Sequence, residues 1–245
     1  MRAELDVARQ LQQMLLPKKR ELTQIEGLDI VGFMQPAEEV GGDYYDVLQD
    51  DNRLILGIGD VIGHGLESGV FAIMVQSIVR GLLVAGVSDP FKFLNALNQA
   101  VYANVQRIGS DKNLSFGFAE YQNKMLRLTG QHETAIVVRN GNTELIDTEG
   151  LGFPIGLVAD ISGYISATDI ALDAGDGIVL YTDGITEAAN SQDQEYGITR
   201  LCHIIQQNWQ HPAASVCQAI VDDVHRHIAD QRMFDDITLL ILKIK

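Results

Sequence analysis

Four segments of the chain set an aspartate at the edge of an apolar run. Leu54-Ile55-Leu56-Gly57-Ile58-Gly59 leads into Asp60, which is followed by Val61-Ile62-Gly63-His64-Gly65. Ile178-Val179-Leu180-Tyr181-Thr182 leads into Asp183 and Gly184. Ile237-Thr238-Leu239-Leu240-Ile241 follows Asp235-Asp236, and Gly41-Gly42 precedes Asp43-Tyr44-Tyr45-Asp46. A carboxylate at a strand end beside glycine stands where the core gives way to a loop, and loops gather at the ends of a sandwich. Carboxylates gathered there repel one another unless a cation neutralises them. Hard divalent ions do this, and an all-oxygen site suits Mg²⁺ or Mn²⁺. Two such ions about 3.5–4 Å apart clamp a phosphoryl group and activate a water. Each segment alone is also an ordinary aspartate turn. The joint pattern carries the metal reading. Asp46 and Asp236 each adjoin a better-placed aspartate and fit a supporting role.

The elements that must position these groups follow from hydrophobic periodicity. Residues 3–16 read as a helix with Leu5, Ala8, Leu11 and Leu15 on one side, ended by Pro17. A helix this short is marginal alone in water. It packs on its own domain, pairs with a second copy, or ends a longer helix from an upstream domain. Lys18-Lys19-Arg20 reads as a solvated basic turn. Strands are expected at Leu28–Met34, Tyr44–Leu48 and Arg53–Ile58, then helices at Leu66–Val84 and Phe91–Ile108, with Asp89-Pro90 as a start signal. Further strands are expected at Leu114–Tyr121, Met125–Thr129, Thr134–Arg139, Thr143–Ile146, Asp169–Leu172 and Gly177–Tyr181. Asn140-Gly141 is the strongest hairpin signal in the chain. Helices near Ile198–Trp209 and Ala213–Ala229 precede a last strand, Ile237–Ile244. Hairpins with helix pairs between them imply an α+β fold, with helices on the outer faces of stacked sheets. We expect one catalytic domain over 18–245 behind an N-terminal helix at 1–17.

Composition limits the partners. A formal net charge of −15 disfavours nucleic acid and anionic membranes, and repels a phosphorylated substrate unless cations intervene. The apolar stretch from Val70 to Val87 is broken by Gln76, Ser77 and Arg80, and so reads as a buried helix, not a membrane span. No secretory leader pattern is visible. Two cysteines without a Cys/His cluster indicate neither a disulfide framework nor zinc, and fit a reduced, cytoplasmic compartment.

In their order, the segments Gly-Gly-Asp-Tyr-Tyr-Asp (41–46), Gly-Asp-Val-Ile-Gly-His-Gly (59–65), Tyr-Thr-Asp-Gly-Ile-Thr-Glu (181–187) and Asp-Asp-Ile-Thr-Leu-Leu (235–240) resemble the PPM (protein phosphatase 2C-like) superfamily. The likeness is to its bacterial SpoIIE-type branch, and Ala8–Pro17 is similar to that branch's lead-in segment. The resemblance implies a four-layer αββα sandwich and a metal-dependent serine/threonine phosphatase. It implies that Asp60 bridges two Mn²⁺ or Mg²⁺ ions, with the Val61 carbonyl as a backbone ligand. Asp183 and Asp235 would hold one ion from the opposite side, and Asp43 would reach the other directly or through its waters. The implied chemistry is direct attack of a water on phosphoserine or phosphothreonine. The implied partner is a phosphorylated STAS-domain anti-sigma-factor antagonist.

His64 has two readings: it donates a proton to the leaving oxygen or bonds a water of the site, or it holds the Gly63–Gly65 loop. His225 and His227 lie two apart on an expected helix and do not share a face, so no metal site is expected there. Where the family pattern has an Asn-Ala-Gly-His-like segment, this chain has Thr129-Gly130-Gln131-His132-Glu133. No arginine near the first motif stands out as a phosphate anchor. The rival readings are a catalytically silent phosphatase-fold binding module and a hydrolase of small phosphoesters. Carboxylates kept in all four motifs weigh against the silent module.

Overall fold

The computed structural model describes residues 2–38, 40–50, 53–63 and 65–245, with side chains from residue 9 onward. In chain order the elements begin with helices α1 (Arg2–Leu15) and α2 (Lys19–Thr23), then strands β1 (Leu28–Gln35), β2 (Asp43–Asp50) and β3 (Arg53–Val61). Helices α3 (Leu66–Val84) and α4 (Pro90–Ile108) precede β4 (Leu114–Gln122), β5 (Met125–Thr129), β6 (Ala135–Arg139) and β7 (Asn142–Ile146). The remainder is β8 (Ala167–Ala171), β9 (Gly177–Tyr181), α5 (Asp183–Thr186), α6 (Ile198–Asn208), α7 (Ala213–Ile228) and β10 (Ile237–Ile244). The expected α+β class is borne out: two antiparallel five-stranded sheets, each with helices against it.

The chain divides into two compact units. The first comprises Met1–Leu16, Glu38–His132 and Asp147–Ala171, and holds the sheet β2-β3-β4-β5-β8. Its strand β3, second in that order, is buried from Leu54 to Gly59. Ile55 and Val61 face the helices, where Phe71, Val75 and Val79 of α3 and Phe93, Leu97 and Val101 of α4 meet Tyr44, Phe116 and Phe118. Fully burying each such side chain stabilises by about 1.5–3 kcal/mol. Gly57 makes room on this face, since a Cβ there would lie 3.0 Å from the Tyr44 ring. Helix α3 is long and apolar enough by composition to cross a membrane, but its Phe71, Ala72, Val75 and Val79 pack into this core. It stops in a Schellman turn: the N–H of Gly86 (φ +75°) donates to Leu83 O at 2.8 Å and that of Val87 to Leu82 O at 3.0 Å. Asp89 caps α4 by accepting from Lys92 N at 2.9 Å, with Pro90 in the first turn.

The second unit comprises Pro17–Ala37, Glu133–Ile146 and Leu172–Lys245, and holds the sheet β1-β10-β9-β6-β7. Ile237, Leu239 and Ile241 of β10 pack on Leu201 and Ile205 of α6 and on Val216, Ile220 and Val224 of α7. The β6–β7 turn has Asn140 (φ +50°) and Gly141 (φ +77°) between paired Arg139 and Asn142, the type I′ geometry expected of Asn-Gly.

One expectation at the N-terminus fails, and one alternative left open for α1 is not the one formed. Lys19 and Arg20 are solvated as expected, but they begin the helix α2 and are no turn. On α1 the periodic side is not the packed one. Leu11, Met14 and Leu15 are exposed, and Gln12 is buried instead. Leu5 and Ala8 have side chains outside the described residues. The cause is a backbone partner: Gln12 Nε2 donates to Gly41 O at 2.9 Å, and Gly41 N donates to Gln12 Oε1 at 3.3 Å.

A polar network ties α6 and α7 together in the second unit. Asp223, 4% exposed, accepts from the Tyr196 hydroxyl (2.9 Å), from Arg200 Nε (2.7 Å) and Nη2 (3.1 Å), and from Arg226. His227 Nδ1 accepts from Arg200 Nη1 at 2.9 Å, which leaves its Nε2–H to donate to Gln194 O at 2.9 Å. Removing Asp223 takes the acceptor from the buried Tyr196 hydroxyl, whereas Arg200 and Arg226 are exposed enough to be resolvated. Asp223→Ala should therefore lower the unfolding free energy by about 2 kcal/mol in urea titrations. A loss under about 1 kcal/mol would mean that the Tyr196 hydroxyl is readily resolvated without it.

Candidate metal centre

The carboxylates of the first unit are set by strand register. β2 and β3 pair so that Asp43 lies directly opposite Asp60. Residues opposite on antiparallel strands point to the same face with Cβ atoms about 4.5–5.5 Å apart, and like charges there are destabilising. Asp43 is 1% exposed and Asp60 half-buried. Because side chains alternate, Tyr44 and Asp46 turn to the opposite face, toward α3. Asp46 accepts there from Val47 N at 2.9 Å, and lies 3.4 Å from Arg80 Nη2 and 3.5 Å from Gln76 Nε2. Burial outweighs Arg80 and pushes the Asp46 carboxyl above its ordinary value. Asp46 thus joins β2 to α3.

Backbone oxygens lie beside the pair. A Cβ built at Gly42 would sit 3.0 Å from the Val61 carbonyl oxygen and 3.1 Å from that of Gly63, so a larger residue there would press on both carbonyls. Gly63 (φ +80°) and Gly65 (φ +88°) adopt the left-handed backbone that favours glycine. His64 between them lies outside the described residues. Lys112, just before β4, grips this loop: its Nζ donates to Ile62 O at 2.7 Å and to Ser68 Oγ at 3.1 Å. Sequence reading looked for an arginine here and missed this lysine. The available signal was a single lysine in the short polar segment between the Gly109 helix stop and β4.

In the second unit, the segments bearing Asp183 and Asp235 are laced together. Thr182 N donates to Thr238 O (3.2 Å), Thr238 N to Thr182 Oγ1 (3.1 Å), and Thr182 Oγ1 to Asp236 O (3.3 Å). A Cβ at Gly184 would fall 2.0 Å from Asp236 O, so only glycine allows this approach. Asp236 is buried and accepts from Ala37 N at 2.7 Å, whereas Asp235 is exposed. Burial first, then Asp235 and Glu187, raise the Asp183 carboxyl from 3.8 to about 6. Glu133 belongs to the same group: burial, Asp183 and Glu187 raise its carboxyl. Sequence reading had placed Glu133 only within a divergent segment, because nothing local marks it as a neighbour of Asp183. His225 bonds Gln35 and His227 bonds Arg200 and Gln194, so both are structurally engaged.

Among the described residues, no three His, Cys, Asp or Glu side chains are gathered as a metal cage by themselves. The donor chemistry nonetheless fits a hard cation. Opposed carboxylates beside a backbone carbonyl form an oxygen-only set that a divalent ion would relieve of repulsion.

Residues 50–245 match the family model described as Stage II sporulation protein E (SpoIIE). The chain belongs to the SpoIIE family. It is a PPM-type phosphatase domain. Among relatives of this SpoIIE-family chain, the phosphoserine phosphatase RsbU of Bacillus subtilis is 28% identical over 250 residues, covering 100% of this chain and 71% of RsbU. The SiaA-PP2C domain of Pseudomonas aeruginosa shares the fold at a TM-score of 0.85 and 19% identity, covering 99% of this chain and 96% of that one. The catalytic domain of the serine/threonine protein phosphatase PstP, solved with two manganese ions, matches at a TM-score of 0.61 and 14% identity, covering 89% of this chain and 99% of its own.

The raised Asp183 carboxyl makes a stability prediction for the SpoIIE-family chain without metal. Its folded value of about 6 exceeds the ordinary 3.8, so the unfolded chain gives up this proton more readily. Metal-free protein should therefore lose stability as pH rises from about 4 to about 6, with the full penalty above that. Asp183→Asn removes the charge. Its thermal midpoint in EDTA at pH 7.5 should rise by the equivalent of about 1–2 kcal/mol, allowing for solvent screening, and the gain should fade near pH 4. An unchanged or lower midpoint in calorimetry would show that Asp183 is not under this repulsion.

Proposed function

We propose that this chain hydrolyses a phosphoserine or phosphothreonine monoester on a partner protein, using two Mn²⁺ or Mg²⁺ ions held by Asp43, Asp60, Asp183, Asp235 and the Val61 carbonyl. The observation that carries this reading is the Asp43–Asp60 cross-strand pair, a costly placement for two like charges unless a cation is meant to share it. When bound, the ions neutralise phosphoryl oxygens and lower the pKa of an attacking water. In this reading Asp60 and Asp43 would offer carboxylates to the ions from the first unit, and Asp183 and Asp235 from the second. Lys112 keeps the Val61–Gly65 loop in place through Ile62 O. His64, on that loop, gives the leaving serine oxygen its proton.

The partner in this reading is a phosphorylated STAS-domain anti-sigma-factor antagonist in the cytoplasm. Membership of the SpoIIE family and the likeness to a phosphoserine phosphatase support it. Residues 18–245 act as the catalytic domain and residues 1–17 as a helix for pairing with a second copy. The exposure of Leu11, Met14 and Leu15 on α1 supports that pairing.

Hydrolysis of p-nitrophenyl phosphate and of a phosphoserine protein is the test, with Mn²⁺, with EDTA and with the variants Asp60→Asn and Asp183→Asn. Turnover should require the metal, and each variant should lower kcat at least about 100-fold, as expected when an ion that stabilises the transition state is lost. Full activity in both variants would overturn the metal assignment. Phosphoprotein binding without turnover under any metal would favour the silent binding module.

A further inference from the structure

The row that begins with Asp43 and Asp60 does not end there. β3 and β4 pair so that Asp60 lies opposite Ser115, which puts Asp43, Asp60 and Ser115 side by side across three strands. Phe116, the next residue on β4, packs in the helix-facing core, so Ser115 projects from the other face with the aspartates. Ser115 is half-buried, and its Oγ lies 2.8 Å from His132 Nδ1.

The imidazole is held firmly in that position. His132 N donates to Thr148 Oγ1 at 3.1 Å, and the Thr148 hydroxyl donates back to His132 O. Thr148 itself is 2% exposed. Gln131 O accepts from Phe116 N at 2.7 Å, which sews the turn to β4. A Cβ at Gly117 would lie 3.3 Å from His132 Cβ, so glycine there lets the histidine settle beside Ser115.

We propose that Ser115 is an additional oxygen donor of the cation site and that His132 is the positioning residue that orients its hydroxyl. A serine hydroxyl has one proton and two lone pairs. Left alone beside carboxylates, it would donate its proton to one of them and use up an oxygen that a cation needs. With Nδ1 as acceptor the proton goes to His132, and Oγ turns only lone pairs toward Asp60. The row then offers uncharged and charged oxygens together, the donor mixture that Mg²⁺ and Mn²⁺ favour. This inference rests on the metal-dependent phosphatase reading.

Mn²⁺ titration calorimetry on the full chain tests it, with the thermal midpoint in EDTA recorded for each variant as a check on folding. Ser115→Ala and His132→Ala should each weaken Mn²⁺ binding about 10- to 100-fold. Ser115→Thr, which keeps the hydroxyl on a strand that tolerates β-branching, should bind within about threefold of the parent. Because His132 acts through Ser115, the double variant should be no weaker than Ser115→Ala alone. Parent-like binding by Ser115→Ala, with binding lost in Asp60→Asn, would overturn the inference and leave the phosphatase reading intact. Parent-like binding by Asp60→Asn as well would overturn the metal reading itself. Losses that add in the double variant, or a loss in Ser115→Ala with none in His132→Ala, would overturn the positioning role of His132.

Discussion

Carboxylate repulsion is the constraint around which both units are organised. Asp43 faces Asp60 in one sheet, and Asp183 stands among Asp235, Glu187 and Glu133 in the other unit. Neither arrangement would persist on a flexible scaffold, because charges free to move would separate into water. Each is therefore carried by apolar strands buried on both sides. β3 is buried from Leu54 to Gly59 and β9 throughout, so the aspartates next to them have little freedom to retreat. The stability held in these cores offsets the strain at their ends, as is common where a protein keeps a destabilising site for function.

The backing around each carboxylate group is specific. In the first unit Gly42 admits the Val61 and Gly63 carbonyls, Lys112 ties the loop, and Gln12 bonds Gly41 next to Gly42 and Asp43. Helix α1 thereby reaches the Gly41–Gly42 segment that leads into Asp43 through a side-chain amide acting as a backbone partner. In the second unit Gly184 lies against Asp236 O, and Asp236 spends a carboxylate oxygen on Ala37 N. Asp46 and Asp236 use their charge on scaffold contacts, which separates them from the neighbouring Asp43 and Asp235.

Much of the secondary structure was legible because long apolar periods and caps leave few alternatives. Leu66–Val84, Met125–Thr129, Gly177–Tyr181 and Ile237–Ile244 form as the pattern predicts. The short pieces were not legible. Helix α5 at Asp183–Thr186 is too brief to show a period, and α2 follows Pro17 within a run that reads as polar linker. The alternatives left open for α1 were not separable from sequence, because a buried hydrogen bond by Gln12, not the apolar stripe, holds it to its unit.

The sequence by itself determined the family and the α+β class, since strand-plus-glycine-plus-aspartate motifs are local and ordered. Register and long-range contact decided the rest. Asp43 meets Asp60 across the local β2–β3 hairpin, but that Asp60 faces Ser115 on its other side follows from pairing between strands separated by two helices. The proximity of Glu133 to Asp183, the Lys112 tether and the Ser115–His132 bond likewise depend on segments that meet only after the sheets have formed. Local sequence encodes which face a side chain takes along its own strand. Which partner strand lies alongside, and in what register, is settled by the packing of the whole unit.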